Sequence, residues 1–132
     1  MSEQNPSPEH MRSVVDRYTA AHSAGDVNAV AALFAADAVV ADPVDQPAHH
    51  GRDAVRAFFA GTHEMADSME LSATGPVRAV GNWAAVPLMA VTTIGDMRLR
   101  IDIIDVFTFD SDGLISDMKA YWTASDIRPY EP

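Results

Sequence analysis

Four extended segments, at about residues 68–80, 83–94, 97–109 and 113–124, follow one another through the second half of this 132-residue chain. Gly81-Asn82, Gly95-Asp96 and Asp112-Gly113 punctuate them, the residue types that reverse a hairpin. Such a run folds as an antiparallel meander. The first half has helical spacing instead. Met11, Val14, Val15, Tyr18, Ala21 and His22 form one stripe from Pro8 onward, with Arg12, Asp16 and Arg17 behind it. Gly25 stops this helix and Asp26 caps a second, with Val27, Val30, Ala31, Leu33 and Phe34 on its stripe. Ala38 to Asp42 reads as a strand ended by Pro43, and residues 44–51 as a loop. A third helix runs from Arg52 to about His63 and buries Val55, Phe58 and Phe59. Helices first and long strands afterwards predict an α+β domain. Its curved, mixed or antiparallel sheet wraps three helices as a cone around an apolar pocket. The expected division is a flexible tail over 1–7, one domain over 8–128 and a short tail over 129–132. The length supports a single core.

The 9 basic and 19 acidic side chains leave a formal net charge of -10. That field repels phosphate backbones and anionic lipid, so no nucleic-acid or membrane partner is expected. There is no cysteine, which removes disulfides, thiol nucleophiles and thiolate metal sites and suits the cytoplasm. The polar start lacks a signal-peptide layout, and no apolar run nears the ~20 residues of a bilayer span. His10, His22 and His63 lack zinc-ligand spacing, and His49-His50 fall in a polar loop. Asp110-Ser111-Asp112-Gly113 begins like a calcium loop but lacks the later ligands. No phosphate-binding glycine loop or Gly-x-Ser-x-Gly elbow is present. No metal is expected.

Three polar groups interrupt apolar faces. In the strand ending at Phe109, Leu99, Ile101, Ile103, Asp105, Phe107 and Phe109 share a side, and Asp105 is its one polar member. A carboxyl there loses hydration and stays a neutral acid, unless it sits at an edge, an interface or a backbone donor. Tyr18 lies on the core stripe of the first helix, where packing alone also places tyrosines. Asp42 closes a strand before a proline, as turn formers do. At the mouth of an apolar chamber it would keep enough hydration to remain charged and act as a base. One carboxyl held neutral and one held charged divide acid and base duties.

Residues 8–44 (PEHMRSVVDRYTAAHSAGDVNAVAALFAADAVVADPV) and 101–122 (IDIIDVFTFDSDGLISDMKAYW) resemble the bacterial ketosteroid isomerases. These belong to the nuclear transport factor 2-like, SnoaL-like superfamily. The likeness runs through about residues 8–128. It implies a cofactor-independent steroid Δ-isomerase that moves a double bond from Δ5 to Δ4 in a 3-oxo-Δ5-steroid. Asp42 in Val39-Val40-Ala41-Asp42-Pro43 matches the general base. Tyr18 matches the oxyanion-hole tyrosine, and Asp105 in Ile104-Asp105-Val106-Phe107 matches the protonated acid beside it. Trp122, Met118, Phe58, Phe59, Leu88, Ala90 and Ile103 match steroid-lining positions, where core packing is the competing explanation. The resemblance also implies a homodimer formed through sheet faces.

One departure stands out. Two further tyrosines support the oxyanion tyrosine in some relatives, and this chain has Phe34 and Phe59 there. The two primary donors remain, so the expected consequence falls on rate rather than reaction type. Two other readings compete: a non-catalytic carrier of steroids or similar apolar ligands, and a related polyketide cyclase or epoxide hydrolase. A carrier needs no pairing of charged and neutral carboxyls.

Overall fold

The computed structural model describes residues 5–131. Ser7, expected in the tail, caps the first helix by accepting the His10 backbone N–H at 3.0 Å; the tail's residues 1–4 lie outside the described residues. Helix α1 (Pro8–Ser23) buries Met11, Val14, Val15, Tyr18, Ala21 and His22, the side on which the 3.6-residue period collects apolar groups. Helix α2 spans Val27–Ala31, opened by the Asp26 carboxylate accepting the Ala29 N–H at 3.0 Å. Strand β1 (Phe34–Ala41), strand β2 (His49–His50) and helix α3 (Arg52–Glu64) follow. Then come β3 (Ser68–Ala73), β4 (Arg78–Val80), β5 (Trp83–Ile94), β6 (Met97–Phe109), β7 (Ile115–Tyr121) and β8 (Ile127–Pro129).

The strands form one mixed sheet in the order β2-β1-β7-β6-β5-β3, with β4 on β5 and β8 on β6. Only the β1–β7 pairing is parallel among the described strands. The long β5–β6 hairpin is its spine, in register from Trp83↔Thr108 to Ile94↔Met97. The helices cover one face, and Phe34, Phe107, Phe109, Met11 and Ile115 fill the space between the layers. Three helices against a mixed, non-closed sheet make the α+β cone anticipated above.

Several boundaries differ from the local reading, each for a tertiary reason. Leu33 and Phe34 leave the second helix. The Leu33 carbonyl accepts the Ile115 N–H at 2.9 Å, and the Phe34 carbonyl accepts Arg52 Nε and Nη2 at 2.9 and 2.7 Å. Strand pairing thereby outweighs continuation of the helix, even though leucine is a good helix former. The segment 68–80 is two strands, because Pro76 cannot donate to a ladder and Gly75 lies against Pro87. An added Cβ at Gly75 would meet Pro87 Cγ at 3.0 Å. His49 and His50, read as loop, pair with Val40 and Val39. At the other end Pro129 closes β8 against Leu99, and the Tyr130 N–H reaches the Arg98 carbonyl at 3.0 Å. Of the expected C-terminal tail, Pro132 lies outside the described residues.

Candidate active site

A cavity of about 420 Å³ lies between the helices and the concave face of the sheet. Its size suits a small organic ligand. Strand β6 contributes Asp105, Ile103 and Ile101, and β5 contributes Ala90, Thr92 and Ile94, because alternate residues share a face. Helix α1 adds Tyr18 and His22, one turn apart, while α3 adds Phe58, Phe59 and Thr62. Asp42, just past β1, and Trp122, just past β7, complete the wall.

Asp105 is 3% exposed, and its Oδ1 has no hydrogen-bond partner among the described residues. Burial holds its pKa well above the usual carboxylate range, and the charge of Asp42 adds to the rise. Burial thus favours the un-ionised carboxyl, which carries an O–H donor. Tyr18 is as deeply buried, with the edges and faces of His22, Phe34, Phe59 and Phe107 around its ring at centroid distances of 4.6–6.3 Å. Burial first, then Asp105 and Asp42, push its phenol well above its ordinary pKa. It too stays protonated.

Asp42 differs in kind. Burial raises its pKa, but two neighbours oppose that rise: the Trp122 indole, which donates from Nε1 to Oδ1 at 2.7 Å, and His49. A donor on a carboxylate favours the charged form. The cavity thus combines a phenol and a carboxyl that burial pushes toward their protonated forms with a second carboxyl, also raised by burial, whose charged form has support from Trp122 and His49. That set can take a proton from carbon beside a carbonyl whose oxygen rests between Tyr18 and Asp105.

Of the residues singled out from sequence, Tyr18, Asp42, Asp105, Trp122, Phe58, Phe59, Ala90 and Ile103 all line this cavity. Met118 and Leu88 do not. Both pack within the core cluster, and Leu88 lines a separate, smaller hollow with Pro87 and Ile104 instead. His22 is the lining residue whose role the local reading passed over. It is 2% exposed, its Nδ1 is hydrogen-bonded to His63 Nε2 at 3.0 Å, and its Nε2 has no partner among the described residues. Burial, with a smaller contribution from His63, lowers its pKa to about 3, so the ring is neutral. Its place four residues after Tyr18 was the available signal. His49 is half-buried rather than solvated and stacks on Phe58 at 4.3 Å. Among the described residues no three His, Asp or Glu side chains converge as metal ligands, and no helix is long and apolar enough to cross a membrane.

A model of the SnoaL-like domain matches residues 15–118, from the middle of α1 into β7. The chain belongs to the SnoaL-like family. This SnoaL-like domain is 38% identical over 117 residues to the steroid Delta-isomerase of Nocardioides simplex, covering 89% of the chain and 93% of that protein. It is 29% identical over 127 residues to the epoxide hydrolase LasB of Streptomyces lasalocidi, covering 92% of the chain but only 44% of LasB. Among solved structures, the epoxide hydrolase/cyclase-like enzyme SalBIII, associated with pyran ring formation in salinomycin, superposes with a TM-score of 0.83. Identity there is 29%, with 92% of this chain and 97% of the other covered. The SnoaL-like cone is thus shared by relatives with different reactions, and side chains in the cavity must separate them.

Proposed function

We propose that the protein is a 3-oxosteroid Δ5-isomerase that works with its own side chains. The observation that carries this reading is the buried Tyr18–Asp105 donor pair sharing an apolar cavity with the Trp122-held Asp42. Similarity to a steroid Delta-isomerase over nearly the full length supports it.

The steroid enters with its 3-ketone against Tyr18 and Asp105. Asp42 takes the C4 proton, and the C–H electron pair moves into the ring system and onto O3 as a dienolate. Tyr18 and neutral Asp105 each donate a hydrogen bond to that oxygen as charge develops. Asp42 then returns the same proton to C6, leaving the Δ4 double bond conjugated with the ketone. One carboxyl serves both carbons, so no net proton is consumed. General-base transfer of this kind contributes roughly 10²–10⁴ in rate. Ketosteroid isomerases are a known case of this division of labour between a neutral and a charged carboxyl.

The experiment is direct. Mixing 5-androstene-3,17-dione with the protein should generate conjugated-enone ultraviolet absorbance. Asp42→Asn should retain steroid binding and lose that signal by at least about a hundredfold. Near-normal turnover in Asp42→Asn would remove Asp42 from the role of base.

The likeness to LasB and SalBIII favours a second reading, acid–base opening or cyclisation of an epoxide. Conversion of a hydroxy-epoxide to a cyclic ether, without enone formation from the steroid, would select it. Steroid binding with neither reaction would leave a carrier.

A further inference from the structure

The apolar wall of the cavity is longer than a four-ring skeleton. Along the β5–β6 hairpin Asp105 pairs with Val86, Ile101 with Ala90, Leu99 with Thr92 and Met97 with Ile94. From the level of Asp105 to that of Ile94 is eight residues of strand, or about 26 Å at ~3.3 Å each. Four fused rings, ketone to far edge, match the rise of only about three to four strand residues. A steroid with its ketone at Asp105 therefore ends near the Ala90–Ile101 level. Beyond it the lining continues through Met69, Ala66, Met65, Thr92 and Ile94, with no charged side chain among them.

That outer section is built rather than loose. The Asp67 N–H donates to the Thr93 carbonyl at 2.8 Å, and Asp67 Oδ2 accepts the Gly95 N–H at 2.7 Å. These bonds tie the segment after α3 to the tip of the β5–β6 hairpin, fixing the Met65 side of the mouth against the Ile94 side. Both residues line the cavity and yet remain open to solvent, Met65 at 77% and Ile94 at 42%. An apolar rim continuous with an apolar cavity gains by being covered by apolar substance.

We propose that this outer section is a subsite for a neutral alkyl chain, and that the substrates are 3-oxosteroids bearing a side chain on the ring farthest from the ketone. The assignment rests on the isomerase reading for the direction in which the steroid lies. The chain leaves ring D at about the Ala90–Ile101 level and runs between Met69 and Thr92 toward Met65 and Ile94. A charged tail end fits poorly, because the lining offers no cation and the acidic protein, at -10, repels a carboxylate.

Saturated 3-ketones test this without turnover, since they have no ring double bond to move. Affinities of 5α-androstan-3-one (no side chain), 5α-pregnan-3-one (two carbons) and 5α-cholan-3-one (five carbons) are measured by displacing a fluorescent phenolic steroid. Full burial of one methylene is worth about fourfold in affinity, so partial burial of five carbons should give at least about tenfold over the bare skeleton. In Met65→Gln/Ile94→Thr, both at solvent-open positions and checked for folding by circular dichroism, that ratio should fall to about twofold or less. Equal affinities across the series in the unaltered protein, or an undiminished ratio in the double variant, would overturn the subsite. Failure of the isomerase reading looks different: tailed ketones bind preferentially, but unsaturated ones yield no conjugated enone.

Discussion

The Trp122 indole and the Asp42 carboxylate, 80 residues apart in the chain, are joined by a 2.7 Å hydrogen bond from Nε1 to Oδ1. Parallel pairing of β1 with β7, with Ala41 opposite Lys119, brings the two strand ends to the same side of the cavity. The Val44 N–H reinforces the junction by donating to the Ala120 carbonyl at 2.8 Å. The carboxyl proposed to move the proton is thus oriented by a group far away in the chain but adjacent in the fold.

Trp122→Phe should move the acid limb of the kcat/KM profile to higher pH. The indole lowers the Asp42 pKa, so its removal lets burial raise that pKa further. Turnover on the acid side should fall relative to the unaltered protein, with recovery in more alkaline buffer. An unshifted acid limb would show that the bond orients the carboxyl without tuning it.

Asp105→Leu should lower kcat by about 10²–10³, the usual effect of deleting one donor aimed at a developing oxyanion. Affinity for phenolic steroids, which resemble the dienolate, should fall in parallel. Asp105→Asn keeps a donor of similar shape and should retain more activity than the leucine variant. Equal losses in both variants would contradict a hydrogen-bonding role.

Two buried groups give stability opposite dependences on pH. The folded pKa of His22 lies at about 3, below its unfolded value. As pH falls from about 6.5 the unfolded chain takes up a proton that the native ring refuses, and stability declines down to about pH 3. Asp105 has a raised folded pKa. The unfolded carboxyl releases its proton above about pH 4 while the native one holds it, so stability declines as pH rises through that range and on toward the folded pKa. Urea titrations should show His22→Leu flattening the acid-side decline and Asp105→Asn flattening the alkaline-side one.

Phe59→Tyr should change kcat only modestly, within about tenfold, because Tyr18 and Asp105 already supply both donors. Phe59 lies 6.2 Å from Tyr18 between ring centroids and is 2% exposed, so the added hydroxyl needs a partner in a packed region. A small loss of melting temperature should accompany it. Emergence of activity from an inactive parent protein would mean that the tyrosine network is indispensable.

Local sequence carried much of the architecture. The α1 stripe from Met11 to His22 and the β6 face from Leu99 to Phe109 are periodic in sequence, and burial follows that period through α1 and from Ile103 to Phe109 in β6. Asp105 was legible as an anomaly because every neighbour on its face is apolar. The second helix misled because Leu33 and Phe34 fit its stripe, and only Arg52 and Ile115 decide that their carbonyls pair elsewhere. Met118 and Leu88 misled for a related reason: an apolar side chain on the right face is equally suited to a core and to a cavity wall.

The succession of helices and then long strands, most of the inward faces, and the presence of a phenol and a carboxyl among apolar neighbours were determined by the amino-acid sequence itself. Periodicity of two or 3.6 residues records which side chains must leave water, and that is a local property. The tertiary structure alone decided that Trp122 meets Asp42, that His22 meets His63, and how far the cavity runs beyond Ala90. Those relationships arise where β1 meets β7, where α1 meets the end of α3, and where the segment after α3 meets the β5–β6 hairpin. No local pattern encodes them, because they depend on packing between segments distant in the chain.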